Sequence, residues 1–161
     1  MNTSIDELDA RIIGLFLEEP RIGVLGASRQ LGIARATVQS RLDRLGERGV
    51  IETWAPAIDP ERLGYPVTAF LTLEIRQDSG HERVSRHLAE IPEVLEASTI
   101  TGSGDLWCRV VARSNADLQR VIDSVVDFDS VERTSTVIAL ATQMRRRVAP
   151  LVSAAAHSPA P

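Results

Sequence analysis

Two groups of side chains in this 161-residue sequence have the types and spacing to act on a partner. The first is a run of six arginines, Arg21, Arg29, Arg35, Arg41, Arg44 and Arg48, opposed between residues 21 and 48 only by Asp43 and Glu47, for a segment charge of +4. A guanidinium keeps its charge at any ordinary pH and offers a planar fork that spans two oxygens, which suits phosphate. The second is the run Gly102-Ser103-Gly104-Asp105. Its glycines let backbone approach a ligand closely, Asp105 offers a carboxylate to an ammonium group, and free loop N–H groups can take a carboxylate. Those are the two halves of an amino acid. The alternative for the same loop is a hairpin turn whose glycines meet a need for positive φ.

Other chemistry finds less support. His81 and His87 are six residues apart on an expected helix, so they do not share a face as an i, i+4 metal pair would, and His157 stands near the end of the sequence. Ser103 lacks a strand-to-helix elbow and an activating histidine. The single cysteine, Cys108, falls in an expected strand beside Trp107, which suits a small core residue, and it rules out a disulfide within the chain. Arg145-Arg146-Arg147 reads as a solvated basic end. We therefore assign no catalytic residue, no metal site and no cofactor.

Hydrophobic residues make up 43% and charged residues 25%, the balance of a folded globular chain. No stretch approaches the roughly 18 apolar residues of a spanning helix, and the N-terminus is too acidic for a signal peptide, so we expect a cytoplasmic protein. The net charge of −4 argues against nucleic acid only until it is resolved by segment. Residues 55–144 carry eight arginines and fourteen acids, a charge of −6, so the basic and acidic parts read as two modules with different partners. All eighteen basic residues are arginine, which we read as codon bias in a GC-rich genome.

The elements that must position these groups follow from periodicity. Ser4 with Glu7 forms a capping-box pattern, after which Ile5, Leu8, Ile12, Leu15 and Phe16 recur at helical spacing up to Pro20. Val24, Ala27, Ser28 and Leu31 predict a second helix ending near Gly32. Val38, Leu42 and Leu45 predict a third over residues 35–48. A short glycine-bearing turn between two short helices, the second one basic, is the helix-turn-helix pattern. The inward stripe turns Arg35, Ala36, Gln39, Ser40 and Asp43 outward, with Thr37 and Arg44 at the borders. Arg35 or Arg44 can pair with guanine, Gln39 with adenine, and Thr37 or Ser40 with phosphate or a base edge. Ile51–Ala55 can be a strand, and Pro56, Asp59-Pro60, Gly64 and Pro66 punctuate a connector. Beyond it strands are expected over 67–76, 94–101, 106–113 and 131–140, with helices around Val84–Ile91 and Leu118–Val126, in the order βαββαβ.

Taken together, the chain resembles the Lrp/AsnC family of transcription regulators. The likeness rests on Leu31-Gly32-Ile33, on Arg35 to Leu42 with Arg41 among them, on Leu45 and Gly49-Val50-Ile51, on the linker Asp59-Pro60-Glu61-Arg62-Leu63-Gly64-Tyr65, and on Thr101-Gly102-Ser103-Gly104-Asp105. Two departures stand at Ala34, where the family usually has a capping hydroxyl, and at Gly46. The missing cap costs about 1 kcal/mol and the interior glycine about 0.8–1 kcal/mol. The resemblance implies a double-stranded DNA operator as partner, an amino-acid effector held by residues 101–105 with Thr134 and Thr136 beside them, a homodimer made through the linker strand and sheets, and assembly of four dimers into an octamer.

The expected fold class is α+β. Residues 1–50 form a three-helix, winged-helix-like helix-turn-helix domain, 51–66 a strand-bearing linker, 67–147 a ferredoxin-like domain, and 148–161 a frayed tail. The function this supports is a DNA-binding transcription regulator that responds to an amino acid, and not an enzyme. The alternatives are a small-molecule enzyme on the same architecture and an effector or assembly module that no longer reads DNA.

Overall fold

A computed structural model describes residues 5–76 and 81–157. The chain divides into a unit made of residues 1–56 with 143–161 and a unit made of residues 57–142.

In the first unit, helices α1 (Glu7–Glu18), α2 (Gly23–Leu31) and α3 (Arg35–Glu47) meet the expected three-helix pattern. The inward stripe of each helix closes a core of Ile12, Leu15, Ala27, Val38 and Leu42, bordered by Leu8, Phe16, Val24, Leu31 and Ile33. Each fully buried aliphatic side chain contributes about 1.5–3 kcal/mol. The capping box that opens α1 is not the Ser4–Glu7 pair expected, and Ser4 lies outside the described residues. Asp6 and Asp9 form it instead: the Asp9 N–H donates to Asp6 Oδ1 at 2.8 Å and the Asp6 N–H donates to Asp9 Oδ2 at 3.2 Å. Between α2 and α3, Gly32 takes the left-handed conformation at φ 68°, and Ala34 provides no side-chain cap. Ser28 holds the turn: its hydroxyl donates to the Ile33 carbonyl at 2.7 Å, and the Ile33 N–H donates back to the Ser28 carbonyl at 3.1 Å.

Asp9 has a second task beyond the cap. It is 1% exposed, and α3 supplies both of its counter-charges: Arg41 donates to Oδ1 at 3.0 Å and Arg44 to Oδ2 at 3.0 Å. Arg41 also bonds Asp6. Removing one partner of such a buried pair costs about 3–5 kcal/mol, because the remaining charge is left out of water.

The expected frayed tail is instead helix α6 (Ala149–His157), which returns to the first unit. Val152 and Ala156, four residues apart and so on one face, pack against Ile5, Ile13 and Leu45. The prolines and small residues that read as disorder are compatible with this helix. Pro150 falls in its first turn, where a missing N–H costs nothing, and alanine is the best helix former.

The second unit has β1 (Val67–Ile75), α4 (His81–Ala89), β2 (Val94–Thr99), β3 (Leu106–Ala112), α5 (Asn115–Val126) and β4 (Val131–Ile138). The strands form an antiparallel sheet in the order β2-β3-β1-β4, the βαββαβ arrangement expected. Ala69, Leu71, Leu73 and Ile75 of β1, with Leu106, Cys108 and Val110 of β3, face α4 and α5 across a core completed by Val84, Leu88, Leu118, Val121 and Val125. Ser114 caps α5 by accepting the Asp117 N–H at 3.1 Å. The opposite face, away from α4 and α5, carries Phe70 stacked on Trp107 at 5.4 Å.

The linker departs from expectation, since Ile51–Ala55 pairs with no strand among the described residues. A strand is defined by a partner, and these residues form no ladder with β1, β2, β3 or β4. Ile51 packs on the helical core instead, and Trp54 sets its ring edge-on to Phe16 at 5.3 Å. No helix among the described residues is long and apolar enough to cross a membrane.

Two outcomes are expected. Val152→Asp places a charge against Ile5, Ile13 and Leu45, undocking α6 and lowering the thermal midpoint, with a loss of about 1–3 kcal/mol in chemical denaturation; Leu151→Asp, on the exposed side, leaves both unchanged. The second outcome concerns acid. Burial raises the Asp6 carboxyl, but the hydrogen bonds from Arg41 and the Asp9 N–H and the charges of Arg41 and Arg44 outweigh it, so the group lies below its ordinary value. A lowered folded-state pKa contributes stability above the unfolded value near 3.9, lost as pH falls through the folded one. Wild type should therefore exceed Asp6→Asn in thermal midpoint at about pH 6, and the gap should close toward about pH 2.

Candidate functional site

The outward face of α3 is the first candidate surface. Val38 and Leu45 are fully buried and Leu42 nearly so, which leaves Arg35, Ala36, Gln39, Ser40 and Asp43 exposed, as their spacing predicts, with Thr37 half-buried. Gln39 and Asp43 are not independent: Gln39 Nε2 donates to Asp43 Oδ1 at 2.7 Å. This i, i+4 bond orients the amide and leaves its carbonyl and second N–H to face outward. Arg35 forms no ion pair among the described residues, so its fork is available.

Arg41 and Arg44 correct the expectation made for them. At 100° per residue they share a flank of α3 with Thr37, and α1 lies on that flank, where Asp6 and Asp9 take their donors. Arg44 gives one nitrogen to both oxygens of Asp9, at 3.1 and 3.0 Å. The hydrogen bonds it donates to Asp6 and Asp9 raise the Arg41 guanidinium further above its already high value. The sequence reading missed Asp9, although a signal was present: Asp9 lies four residues after Ile5 and three before Ile12, on the apolar stripe, and a carboxylate there requires a partner.

The second candidate is a cleft of about 540 Å³ lined by Glu74, Ile75 and Arg76 at the end of β1, by Gly102, Ser103, Gly104 and Asp105, and by Glu132. The β1–β3 ladder ends at Leu73 and Leu106, and Asp105 extends it. The Asp105 N–H donates to the Leu73 carbonyl at 2.9 Å, and Asp105 Oδ2 accepts the Ile75 N–H at 2.8 Å. Asp105 is thus first a brace for β1, with lone pairs to spare.

The two glycines differ in kind. Gly102 needs its positive φ of 113°, whereas a Cβ on Gly104 would stand 2.4 Å from Thr72 Cγ2 and 3.2 Å from the Leu73 carbonyl oxygen. Gly104 therefore lets the loop lie on β1, a close approach to backbone and not to a ligand.

Three carboxylates, Glu74, Asp105 and Glu132, and one guanidinium, Arg76, line the cleft. That set suits an ammonium group, while Arg76 and the loop N–H groups suit an anion. A register shift after Glu74 brings Glu132 to this end of the sheet, a feature that alternation alone does not reveal.

Thr101, Thr134 and Thr136 do not line the cleft. Thr101 is exposed on the loop. Thr134 pairs across from Leu73 and Thr136 from Leu71, so both face the helix-covered side, because directly opposed residues share a face. The Thr134 hydroxyl is buried there without a hydrogen-bond partner among the described residues.

The remaining reactive types are structural. Cys108 is buried among core side chains, and burial pushes its thiol up to about 11. His87 Nε2 lies 2.9 Å from the Ser124 carbonyl, and the ring stacks on Phe128 at 4.7 Å. No three His, Cys, Asp or Glu side chains among the described residues are grouped to hold a metal.

Residues 5–46 match the AsnC-type helix-turn-helix domain and residues 68–149 the Lrp/AsnC ligand binding domain. An HTH-type transcriptional regulator of Pyrococcus horikoshii is 29% identical over 151 residues, covering 94% of this chain and 99% of the relative. The structure of E. coli AsnC superposes with a TM-score of 0.82 at 26% identity, over 91% of this chain and 99% of that one. A feast or famine regulatory protein from M. tuberculosis, complexed with L-methionine, has a TM-score of 0.79 at 25% identity, over 88% of this chain and 96% of that one. With both matched domains in the same order as the two units, the chain belongs to the Lrp/AsnC family of transcription regulators.

Proposed function

We propose that this DNA-binding, amino-acid-responsive regulator reads double-stranded operator DNA with Arg35, Ala36, Thr37, Gln39 and Ser40 of α3, and holds the amino acid in the cleft formed by Gly102, Ser103, Gly104 and Asp105 with Glu74, Arg76 and Glu132. The observation that carries the reading is the exposed polar face of α3 over its buried Val38, Leu42 and Leu45, in a chain that also bears an acidic cleft. The L-methionine bound by the M. tuberculosis relative supports an amino acid as the ligand class. Such a protein works in the cytoplasm, where the DNA is.

One helix in one groove binds weakly, so the operator is read by a homodimer with half-sites about one helical turn apart. The exposed surface supports that assembly. Trp54, Ile58 and Leu63 of the linker, Val137 near the end of β4 and Leu140 just beyond it are all more than half exposed, and the face bearing Phe70 and Trp107 is the one that α4 and α5 leave uncovered. The linker segment that lacks a strand partner within one chain gains one from a second copy. Four such dimers form the octamer that the family likeness implies.

A gel shift with the duplex upstream of the protein's own gene, repeated with each common amino acid, tests the whole reading. Preference for that duplex over random sequence, with affinity falling steeply with salt and changed by one or a few amino acids, is the expected result; equal binding to both duplexes ends it. For the cleft, Asp105→Asn is the informative variant. The amide oxygen still accepts the Ile75 N–H, so the thermal midpoint stays near wild type while the amino-acid-dependent thermal shift is lost. An unchanged shift in Asp105→Asn excludes Asp105 as the ammonium's partner. Sedimentation should give a dimer or a multiple of it.

A further inference from the structure

We propose that Asp9 is a positioning residue for DNA recognition: it sets the roll of α3 on α1 and withholds Arg41 and Arg44 from the phosphate backbone, so recognition falls to the outward face that carries Arg35, Gln39 and Ser40. The inference rests on α3 being the reading helix.

The carboxylate of Asp9 is saturated. Oδ1 accepts from Arg41 at 3.0 Å and from Arg44 at 3.1 Å, while Oδ2 accepts from Arg44 at 3.0 Å and from the Asp6 N–H at 3.2 Å. The side chains differ in access, with Asp9 at 1%, Arg41 at 25% and Arg44 at 46% exposure. For either arginine to carry its Asp9-bonded nitrogen to a phosphate, it must abandon a carboxylate that is almost fully buried, and that penalty offsets the gain from the new bond. Two donors on α3 converging on one acceptor of α1 also leave little rotational freedom, because a turn of α3 about its axis breaks both bonds at once.

The charge of the three helices gives the same reading from the sequence side. Residues 5–50 contain seven arginines and seven carboxylates, so the +4 of residues 21–48 is balanced by the −4 of residues 5–20. Affinity for phosphate then depends on which guanidinium groups are not already paired, and Asp9 decides that for two of them.

The test is a salt titration of binding by the full-length protein, to its own upstream duplex and to a random duplex of equal length. The slope of log K against log salt falls by about 0.9 for each phosphate that the protein no longer neutralises. A flat wild-type slope would overturn DNA reading itself and is recognised before any variant is compared. Given a wild-type slope, Arg44→Gln should leave it unchanged while lowering the thermal midpoint. Arg44→Gln carries the decision because Arg44 is the more exposed of the two arginines and Arg41 still meets the charge of Asp9. A drop of about one unit of slope in Arg44→Gln, the size expected for one phosphate, overturns the proposal. Asp9→Asn, its fold checked by circular dichroism, should steepen the slope on both duplexes and narrow the preference between them several-fold, as Arg41 and Arg44 are released to any phosphate. A folded Asp9→Asn with wild-type slope and preference overturns it equally.

Discussion

One carboxylate constrains the helical unit more than any other group. Asp9 belongs on the apolar stripe by position and is charged by chemistry, so the chain can fold there only if the charge is met inside the protein. The answer comes from two helices. Asp6 and the first turn of α1 supply a backbone N–H, and α3 supplies two guanidinium groups. A cap, a helix–helix clamp and the removal of two cations from the surface therefore have one origin. The core of Ile12, Leu15, Val38 and Leu42 supplies the driving force for the same packing but no unique angle, since apolar contacts are not directional.

The sheet unit uses a related device at its cleft. Where the β1–β3 ladder ends, the Asp105 carboxylate takes the place of a missing strand carbonyl, and the absent side chain of Gly104 lets the loop rest on Thr72 and Leu73. A loop held this way keeps its remaining donors and acceptors in place before a ligand arrives, which lowers the entropy that binding must offset. The loop was recognisable as Gly-Ser-Gly-Asp, yet two of its four residues carry their first duty toward the protein itself.

The helices and strands that obey simple periods were legible in the sequence. Val38, Leu42 and Leu45 oriented α3 correctly, and the alternation in Val67–Ile75 identified the covered face of β1. Less legible was whatever depends on a neighbour distant in sequence. Arg41 and Arg44 read as free cations because their partners lie in α1, and a charge count that starts at residue 21 leaves α1 out. The family resemblance puts Thr134 and Thr136 beside the loop, whereas β4 lies at the far side of β1 from β3 and cross-strand register turns both to the helix-covered face. Ile51–Ala55 has the composition of a strand but forms no ladder within one chain, and residues 149–157 have the composition of a tail but a docking face that only α1 and Leu45 reveal.

The return of α6 has a kinetic consequence. The helical unit draws on both ends of the chain, with the whole sheet unit between α1, which ends at Glu18, and α6, which begins at Ala149. Loop-closure entropy rises only slowly with length, so α6 can still dock, but contacts of such sequence separation form late. During synthesis the three helices can assemble on Ile12, Leu15 and Val38 while Ile5 and Ile13 remain uncovered. They are sealed only after the sheet unit has left the ribosome. Until then the nascent regulator carries an apolar patch on α1, and a helix made after the whole sheet unit is the one that closes it.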